Sequence, residues 1–422
     1  MSRWSWILSQ WTGRLWMRAA LYGVIGLATA LAAIYFKRFI PAELPQKIGA
    51  DAVDGILNIM AASMLSVTIF SLSTMVSAYG AATSNVTPRA TQLLIEDRIS
   101  HRALSTFIGA FIFSIVGIVA LKTGAYGDSG RLILFIVTIA VIVMVVVALL
   151  SWIEYLQRLG RVGHTIVRVE EAATQALEER LRLPYLGGRP LADEHAIPET
   201  ARPVFASIVG YVQYVDVELL SHIAERDDIT IYVMAPPGKF INAACPLAMV
   251  SVIKDDNTLN DIRKAFITGE ERAFRQDPRF GLAVLGEIGT RALSSAVNDS
   301  GTPIHIIGIG VRIFSLWARR AEFAGPDADI RYPRIHVPPL KIDDLFDDFF
   351  TPLARDGAGL LEVMIRMHKA FAALAGTGDE DLIRAARYHA RLSLKRCEAA
   401  LALAEDKERL AAIAAPLLSG TP

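Results

Sequence analysis

Four windows of this chain carry no charged side chain: 19–36, 55–88, 103–121 and 132–153. A hydrocarbon core about 30 Å thick takes roughly 20 apolar residues in helix, and each window holds one such span. In lipid every backbone N–H and C=O must be satisfied within its own segment, so the spans are helical. The fourth includes Ile142 to Val147, apolar on every side, as a lipid-facing helix is. Charge returns at Glu154, and the remainder reads as water-soluble protein. The expected architecture is an α-helical polytopic membrane domain of four transmembrane helices over 19–155, followed by an α+β cytosolic domain.

The residues before the first span include Trp4, Trp6, Trp11 and Trp16, with Trp4, Leu8, Trp11 and Leu15 on one helical face. Segment 1–18 therefore reads as an interfacial amphipathic helix with its indoles at headgroup depth. A signal peptide ending near Ala28-Thr29-Ala30 is the competing reading, and the long aromatic lead weighs against it. Basic residues set the orientation. Arg3, Arg14, Arg18, Arg89, Arg98, Arg102, Arg158, Arg161 and Arg168 fall on one side. On the other, Lys37, Arg38, Lys47, Lys122 and Arg131 are diluted by Glu43, Asp51, Asp54 and Asp128. Both termini are expected in the cytoplasm.

The second span is unusual for its hydroxyls: Ser63, Ser66, Thr68, Ser71, Ser73, Thr74 and Ser77. At about 100° per residue, Ser63, Ser66, Ser73, Ser77, Gly80 and Ser84 share about a third of the circumference, with Phe70 in the same stripe. Hydroxyls in hydrocarbon need a partner, so this face points at protein or water. Two readings stand open. Small residues allow close helix packing, and serine bonds back to its own i−4 carbonyl. Alternatively the stripe lines a polar path with Phe70 as an apolar constriction. Small-residue pairs elsewhere (Gly26 and Ala30, Ser105 and Gly109, Ala110 and Ser114) are packing signals. The uncharged stretch 55–88 would make about 50 Å of helix, so Ala81 to Arg89 either emerges into the cytosol or bends back. At the outer end Asp51, Asp54 and Asn58 form a cation-attracting mouth, or are first-turn groups favoured by the helix dipole.

Beyond the fourth span, Leu156, Leu159, Val162, Ile166, Val169, Ala173 and Leu177 continue an apolar seam. It predicts a connecting amphipathic helix over 156–182, running on from the span and self-associating or packing on the soluble domain. Pro184 and Gly187-Gly188 end it. Residues 202–255 form a small α/β module, with strands at Pro203 to Val212 and Ile229 to Met234 and a helix at Val215 to Ala224. Its segment Ala235 to Ala248 resembles the hairpin of a barrel-sandwich (biotinyl-lipoyl-like) domain. The modifiable lysine of a swinging arm is missing, which leaves an adaptor or assembly role. Residues 256–418 are mostly helical, over Leu259 to Phe274, Phe280 to Val297, Pro303 to Phe323, Gly359 to Gly376 and Asp381 to Glu405. Asn298-Asp299 marks a helix boundary with an aspartate cap.

The chemistry this sequence excludes is broad. Basic and acidic residues balance at 43 each, so nothing favours nucleic acid. Cys245 and Cys397 make no disulfide framework. The 8 histidines show no metal-ligand spacing, and Gly308-Ile309-Gly310 lacks the third glycine of a dinucleotide fingerprint. Asp343, Asp344, Asp347 and Asp348 are a cation grip or, more simply, the solvated side of a helix buried through Leu345, Phe346, Phe349 and Phe350. The densest polar cluster joins Arg275, Gln276, Asp277 and Pro278 to Arg291, Asn298 and Asp299; its simplest role is capping and interhelical hydrogen bonding. No catalytic residue, metal or cofactor is assigned, and an enzyme is not expected.

Several of these segments share a further likeness. Thr87-Pro88-Arg89, Gln276-Asp277-Pro278, Phe280-Gly281, Arg291-Ala292-Leu293-Ser294 and Asn298-Asp299, with Gly210-Tyr211-Val212-Gln213 and Asp216, resemble the domain of unknown function 2254 family of predicted bacterial membrane proteins over nearly the whole length. Thr87 stands where serine is usual, and Ser295 and Ser300 where proline often is. The resemblance implies a bacterial inner (plasma) membrane and brings no activity with it. The function expected from the second span is a homo-oligomeric channel- or transport-like assembly in the bilayer, passing a small ion or solute. Its path would be lined by Ser63, Ser66, Phe70, Ser73, Ser77 and Ser84, with Arg89 at the inner end. The alternative is a non-conducting, membrane-anchored scaffold or sensor whose cytosolic module binds a ligand or partner.

Overall fold

The computed structural model describes residues 24, 50–95, 97–123, 127–323 and 330–419. The amphipathic segment 1–18 and the first expected span lie outside the described residues. The chain divides into one compact unit ending at Thr165 and another from Ile166 onward.

The first unit holds α1 (Ala50–Asn85), α2 (Pro88–Ile95), α3 (Arg98–Lys122) and α4 (Gly127–Leu156). Within them Ala52–Ser84, Ile99–Lys122 and Arg131–Leu156 are long and apolar enough to cross a membrane. Helix α1 packs along α3, and α3 against α4, around Leu57, Met60, Met64, Phe107, Phe113, Leu134 and Val145. The small residues of α3 serve this packing: Ser105, Gly109, Ala110 and Ser114 are buried, and Ser114 Oγ donates to the Ala110 carbonyl at 2.7 Å. Ile136, Ile139, Val143, Val146 and Val147 of α4 stay exposed, a face fitted to acyl chains. The long second span resolves by bending back. Helix α1 runs unbroken for 36 residues, and α2 restarts at Pro88, a residue suited to the first helical turn because its missing N–H would have no partner there. Tyr79 donates to the Leu94 carbonyl at 3.3 Å, holding α2 beside the end of α1 with Val86, Ala90 and Leu94 buried.

The expected continuation of the fourth span is corrected. Helix α4 stops at Leu156, the chain turns over 157–161, and α5 (Val162–Arg182) begins anew. The cause is local, because Gly160 sits at φ 79°, a left-handed backbone that ends a helix. The seam itself is real: Leu159, Ile166, Val169, Ala173 and Leu177 are buried.

The second unit contains two sheets. Strands β1 (Arg189–Pro190), β2 (Arg202–Phe205), β4 (Ile231–Val233), β6 (Pro246–Val250) and β8 (Ile335–Val337) form one in the order β1-β8-β4-β6-β2. Strands β3 (Gly210–Val215), β5 (Phe240–Ile241) and β7 (Phe266–Gly269) form the other in the order β5-β3-β7. Helices α6 (Val217–Arg226) and α7 (Asp256–Ala265) contribute Leu220, Ile223, Ala224, Ile262 and Ala265 to a core shared with Val204, Ile231, Val233, Val250 and Val337. The barrel-sandwich likeness does not extend to pairing. Strand β5 joins β3 while β6 joins β2 and β4, so Ala235 to Ala248 divides between two open sheets. Likewise Leu259 to Phe274 is not one helix: Phe266-Ile267-Thr268 switches to strand because β3 offers a free edge for its β-branched alternation.

The helical part comprises α8 (Pro278–Leu293), α9 (Gly301–Ala318), α10 (Arg320–Phe323), α11 (Ile342–Asp356), α12 (Leu361–Ala375), α13 (Glu380–Ala400) and α14 (Ala404–Ser419). Its centre is aromatic: Phe314, Phe346, Phe349, Phe350 and Phe371 are fully buried, with the Phe314 and Phe346 ring centroids 4.6 Å apart. Helix α9 is also long and apolar enough for a bilayer. Here Ile306, Ile307, Ile313 and Phe314 are core residues, and Arg312 reaches Glu170 at 2.8 Å. Gly310 explains the isolated glycine pair of the sequence, since a Cβ there would fall 2.4 Å from the Phe349 ring. It is a packing device.

Buried in this aromatic region, His368 Nε2 lies 3.0 Å from Ser393 Oγ, and burial pulls its pKa down to about 4. An unfolded histidine titrates near about 6.5. Between these values the unfolded chain binds the proton and the folded one does not, so stability is lost as pH falls through that window. Urea denaturation of the protein in detergent is expected to show this acid-side loss, with a shallower slope in His368→Gln. Equal slopes for both proteins would refute it.

Candidate functional site

The helical period divides α1 into two faces. Val53, Leu57, Met60, Met64, Ser71, Met75 and Ala82 are buried against the rest of the unit. Ser63, Ser66, Phe70, Ser73, Ser77 and Ser84 all fall on the opposite, exposed face, where the Phe70 ring is 65% exposed. Some of the hydroxyls fold back on their own helix. Ser66 Oγ donates to the Ala62 carbonyl at 3.0 Å, Ser84 Oγ to Ala81 at 3.0 Å, and Thr74 Oγ1 to Phe70 at 2.9 Å. The hydroxyls of Ser63, Ser73 and Ser77 make no hydrogen bond to another described residue. Both uses of serine thus occur on one helix, because Ser71 lies on the packed face, fully buried with its Oγ unbonded.

Near the start of α1, Asn58 Nδ2 donates to the Asp54 carbonyl at 2.8 Å, one turn away. Asp54 is half-buried, with Oδ1 enclosed and lacking a hydrogen-bond partner. The Asp51 side chain lies outside the described residues. Arg89 is exposed in the first turn of α2, past the break that ends the stripe. Between α3 and α4 a cavity of about 510 Å³ is lined by Arg102, Thr106, Ser151, Trp152, Arg158 and His164, among others. Apolar Met144 and Val147 share its wall.

The polar cluster of the second unit comes apart. Helix α8 separates Gln276 and Asp277 at its start from Arg291 in its last turn and Asn298 and Asp299 beyond its end, a rise of about 24 Å for 16 residues. Gln276 Oε1 accepts from the Val215 N–H at 2.9 Å. The Asp277 carboxylate caps α8 by accepting from the Phe280 N–H at 3.2 Å and receives the Arg272 fork at 2.8 and 3.0 Å. Burial pushes the Asp277 pKa up, against the opposing pull of the Arg272 fork. Gly238, at φ 90°, leaves the room, since a Cβ there would sit 2.2 Å from Asp277 Oδ2. At the other end Asp299 accepts from the N–H groups of Gly301 and Thr302 at 2.9 and 3.2 Å. The four aspartates of α11 are also engaged: Arg279 bridges Asp344 and Asp348, Arg384 meets Asp343, and Asp347 lies 3.6 Å from His389. Leu345, Phe346, Phe349 and Phe350 bury the far side of that helix. No group of three or more metal-ligating side chains assembles among the described residues.

The family described as "Predicted membrane protein (DUF2254)" matches residues 12–373. The chain belongs to this family. Similar proteins include the uncharacterized Mb1321c of Mycobacterium bovis and the uncharacterized Rv1290c of Mycobacterium tuberculosis, each 32% identical over 144 residues. Those matches cover 32% of this chain and 27% of either relative, so the chain spans well under half of the curated relatives it matches. No solved structure matches it. For this DUF2254 protein the segments that carry the family likeness are structural junctions: Thr87-Pro88-Arg89 turns α1 into α2, Gln276-Asp277-Pro278 joins β3 to α8, and Asn298-Asp299 starts α9.

Two outcomes follow for the DUF2254 protein. Single cysteines at positions 63, 66, 73 and 77 should react with water-soluble thiol reagents in membranes while one at Ser71 stays protected; labelling of Ser71→Cys alone contradicts the two-face assignment. Asp277→Ala should cost about 3–5 kcal/mol by leaving Arg272 with no partner for its charge, read as a lowered denaturation midpoint in detergent. An unchanged midpoint removes the junction role.

Proposed function

We propose that this integral membrane protein is a non-enzymatic, homo-oligomeric, channel- or transport-like assembly of the bacterial inner membrane, with both termini in the cytoplasm. Its path runs along the hydroxyl face of α1 from Asp54 and Asn58 toward Arg89, narrows at Phe70, and carries a small ion or solute. One observation supports this most: Ser63, Ser73 and Ser77 project from an apolar helix on the face left free by α3, without partners on their own helix. Each unpaired hydroxyl facing acyl chains costs about 1–3 kcal/mol or more, so the stable arrangement of such a face is against water or another protein surface. A single four-span subunit encloses too little space for a water path, and several copies are required. The α/β module of the second unit serves assembly in this reading.

A second reading, the non-conducting anchored sensor with a cytosolic ligand module, draws support from the cavity at Arg180 described below. Reconstitution separates the two. Proteoliposomes should pass K+, Na+ or Cl−, with Phe70→Ala raising the flux and leucine at Ser63, Ser66, Ser73 and Ser77 abolishing it. A monomeric mass in mild detergent together with no flux of any of the three ions would leave only the sensor.

A further inference from the structure

The seam of α5 continues through Ala173, Ala176 and Leu177 to Leu181, all buried, and Arg180 falls on that same buried side with only 7% of its surface exposed. A guanidinium placed there needs an anion, since an uncompensated buried charge is among the most expensive groups a fold can hold. None of the described carboxylates pairs with it. Its Nη2 donates to the Pro338 carbonyl at 3.1 Å, its Nε has no partner, and Asp277, whose charge attracts it, is bonded to Arg272 instead. Burial lowers its pKa only to about 10, which leaves it cationic at neutral pH.

Arg180 lines a cavity of about 330 Å³ with Leu181, Pro184, Trp317, Arg320 and Leu340, among others. Trp317 is the second orphan: it is 8% exposed, and its indole Nε1 is buried without an acceptor. Arg320 lies over the Trp317 ring, 5.6 Å from its centroid, and is tethered by Asp379 and Asp381. It closes one side while its charge is already balanced. Two residues that each carry a buried donor without an acceptor therefore line one chamber, whose wall is otherwise largely apolar apart from Arg320 and Tyr185. A chamber of this volume sits at the small end of ligand pockets, about 300–1,000 Å³.

We propose that this chamber binds an amphipathic organic oxyanion, its carboxylate or phosphate head accepting hydrogen bonds from Arg180 Nε and Trp317 Nε1 and its apolar body lying against Leu181, Pro184 and Leu340. A planar oxyanion matches the donor fork of arginine, and the walls reject a bare, fully hydrated ion. Arg180 sits near the end of α5, the first helix after α4 in the chain, so occupancy bears on the segment that follows the last span. The site stands whether or not the stripe of α1 conducts.

Calorimetric titration of the full chain in lipid nanodiscs, with empty nanodiscs subtracted, tests this. The probes are phenylbutyrate, phenyl phosphate, inorganic phosphate and the uncharged phenylbutanol. Saturable binding of phenylbutyrate or phenyl phosphate is expected, and whichever binds tighter names the head group. Phenylbutanol and inorganic phosphate should bind at least about tenfold more weakly, each lacking one half of the recognition. Arg180→Gln should weaken the anionic probe by about tenfold or more, the loss of a charge-assisted hydrogen bond, and leave phenylbutanol unchanged. If that variant does not fold, Trp317→Phe keeps the apolar wall, removes the indole donor and should weaken the anion about three- to tenfold. No saturable binding of either organic anion, binding no tighter than that of phenylbutanol, or full retention in the variants overturns the assignment.

Discussion

Hydrocarbon offers a polar group nothing to bond to, and this one property organises the first unit. It leaves the backbone of α1, α3 and α4 only the helix, and it reserves the outer face of α4 for Ile136, Val143 and Val147. It also turns each serine of α1 into a question about its surroundings. Ser66 and Ser84 are answered within the helix by carbonyls one turn back; Ser63, Ser73 and Ser77 are not. The face they occupy is opposite to the one that packs, so the hydroxyls did not come to α1 as spacers for α3. The small residue on the packed face of α1 is Ser71, and Ser105, Gly109 and Ser114 of α3 are buried as well.

In the second unit the same accounting is done with explicit partners. Gln276 supplies the acceptor that the Val215 N–H needs, and Asp277 supplies one for the first turn of α8 while neutralising Arg272. Asp299 does the same for α9. The polar residues that looked in sequence like one cluster are two helix termini, and their chemistry is capping. Arg180 departs from the pattern: its Nη2 has the Pro338 carbonyl, while its buried Nε has no acceptor among the described residues. Trp317 Nε1, on the same chamber, is likewise buried without an acceptor.

Much of the candidate site could be read in advance. Identity and spacing put Ser63, Ser66, Phe70, Ser73 and Ser77 on one stripe, because helical geometry is fixed and charge-free length requires a helix. Arg180 was legible too, lying three residues beyond Leu177 on the seam, yet an arginine near a helix end is ordinarily a solvated partner of the dipole. Only its enclosure by Trp317 and Leu340, remote in sequence, makes it exceptional. The barrel-sandwich expectation failed for the complementary reason: local turn chemistry at Pro236-Pro237-Gly238 is real, but strand partners are chosen by distant edges.

Length and period are local quantities. From them came the charge-free spans, the two-faced second helix, the buried side of α11 and the aspartate before α9, since each depends on residues within a few turns of one another. Pairing, enclosure and interruption are not local. That β5 and β6 go to different sheets, that Gly238 stands against Asp277, that Gly310 receives Phe349 and that Arg180 Nε is enclosed without an acceptor were decided by contacts between segments far apart in the chain. The physical reason is the range of the forces: hydrogen-bonding geometry and side-chain periodicity act over a helical turn, whereas close packing and desolvation depend on whatever the rest of the fold brings alongside.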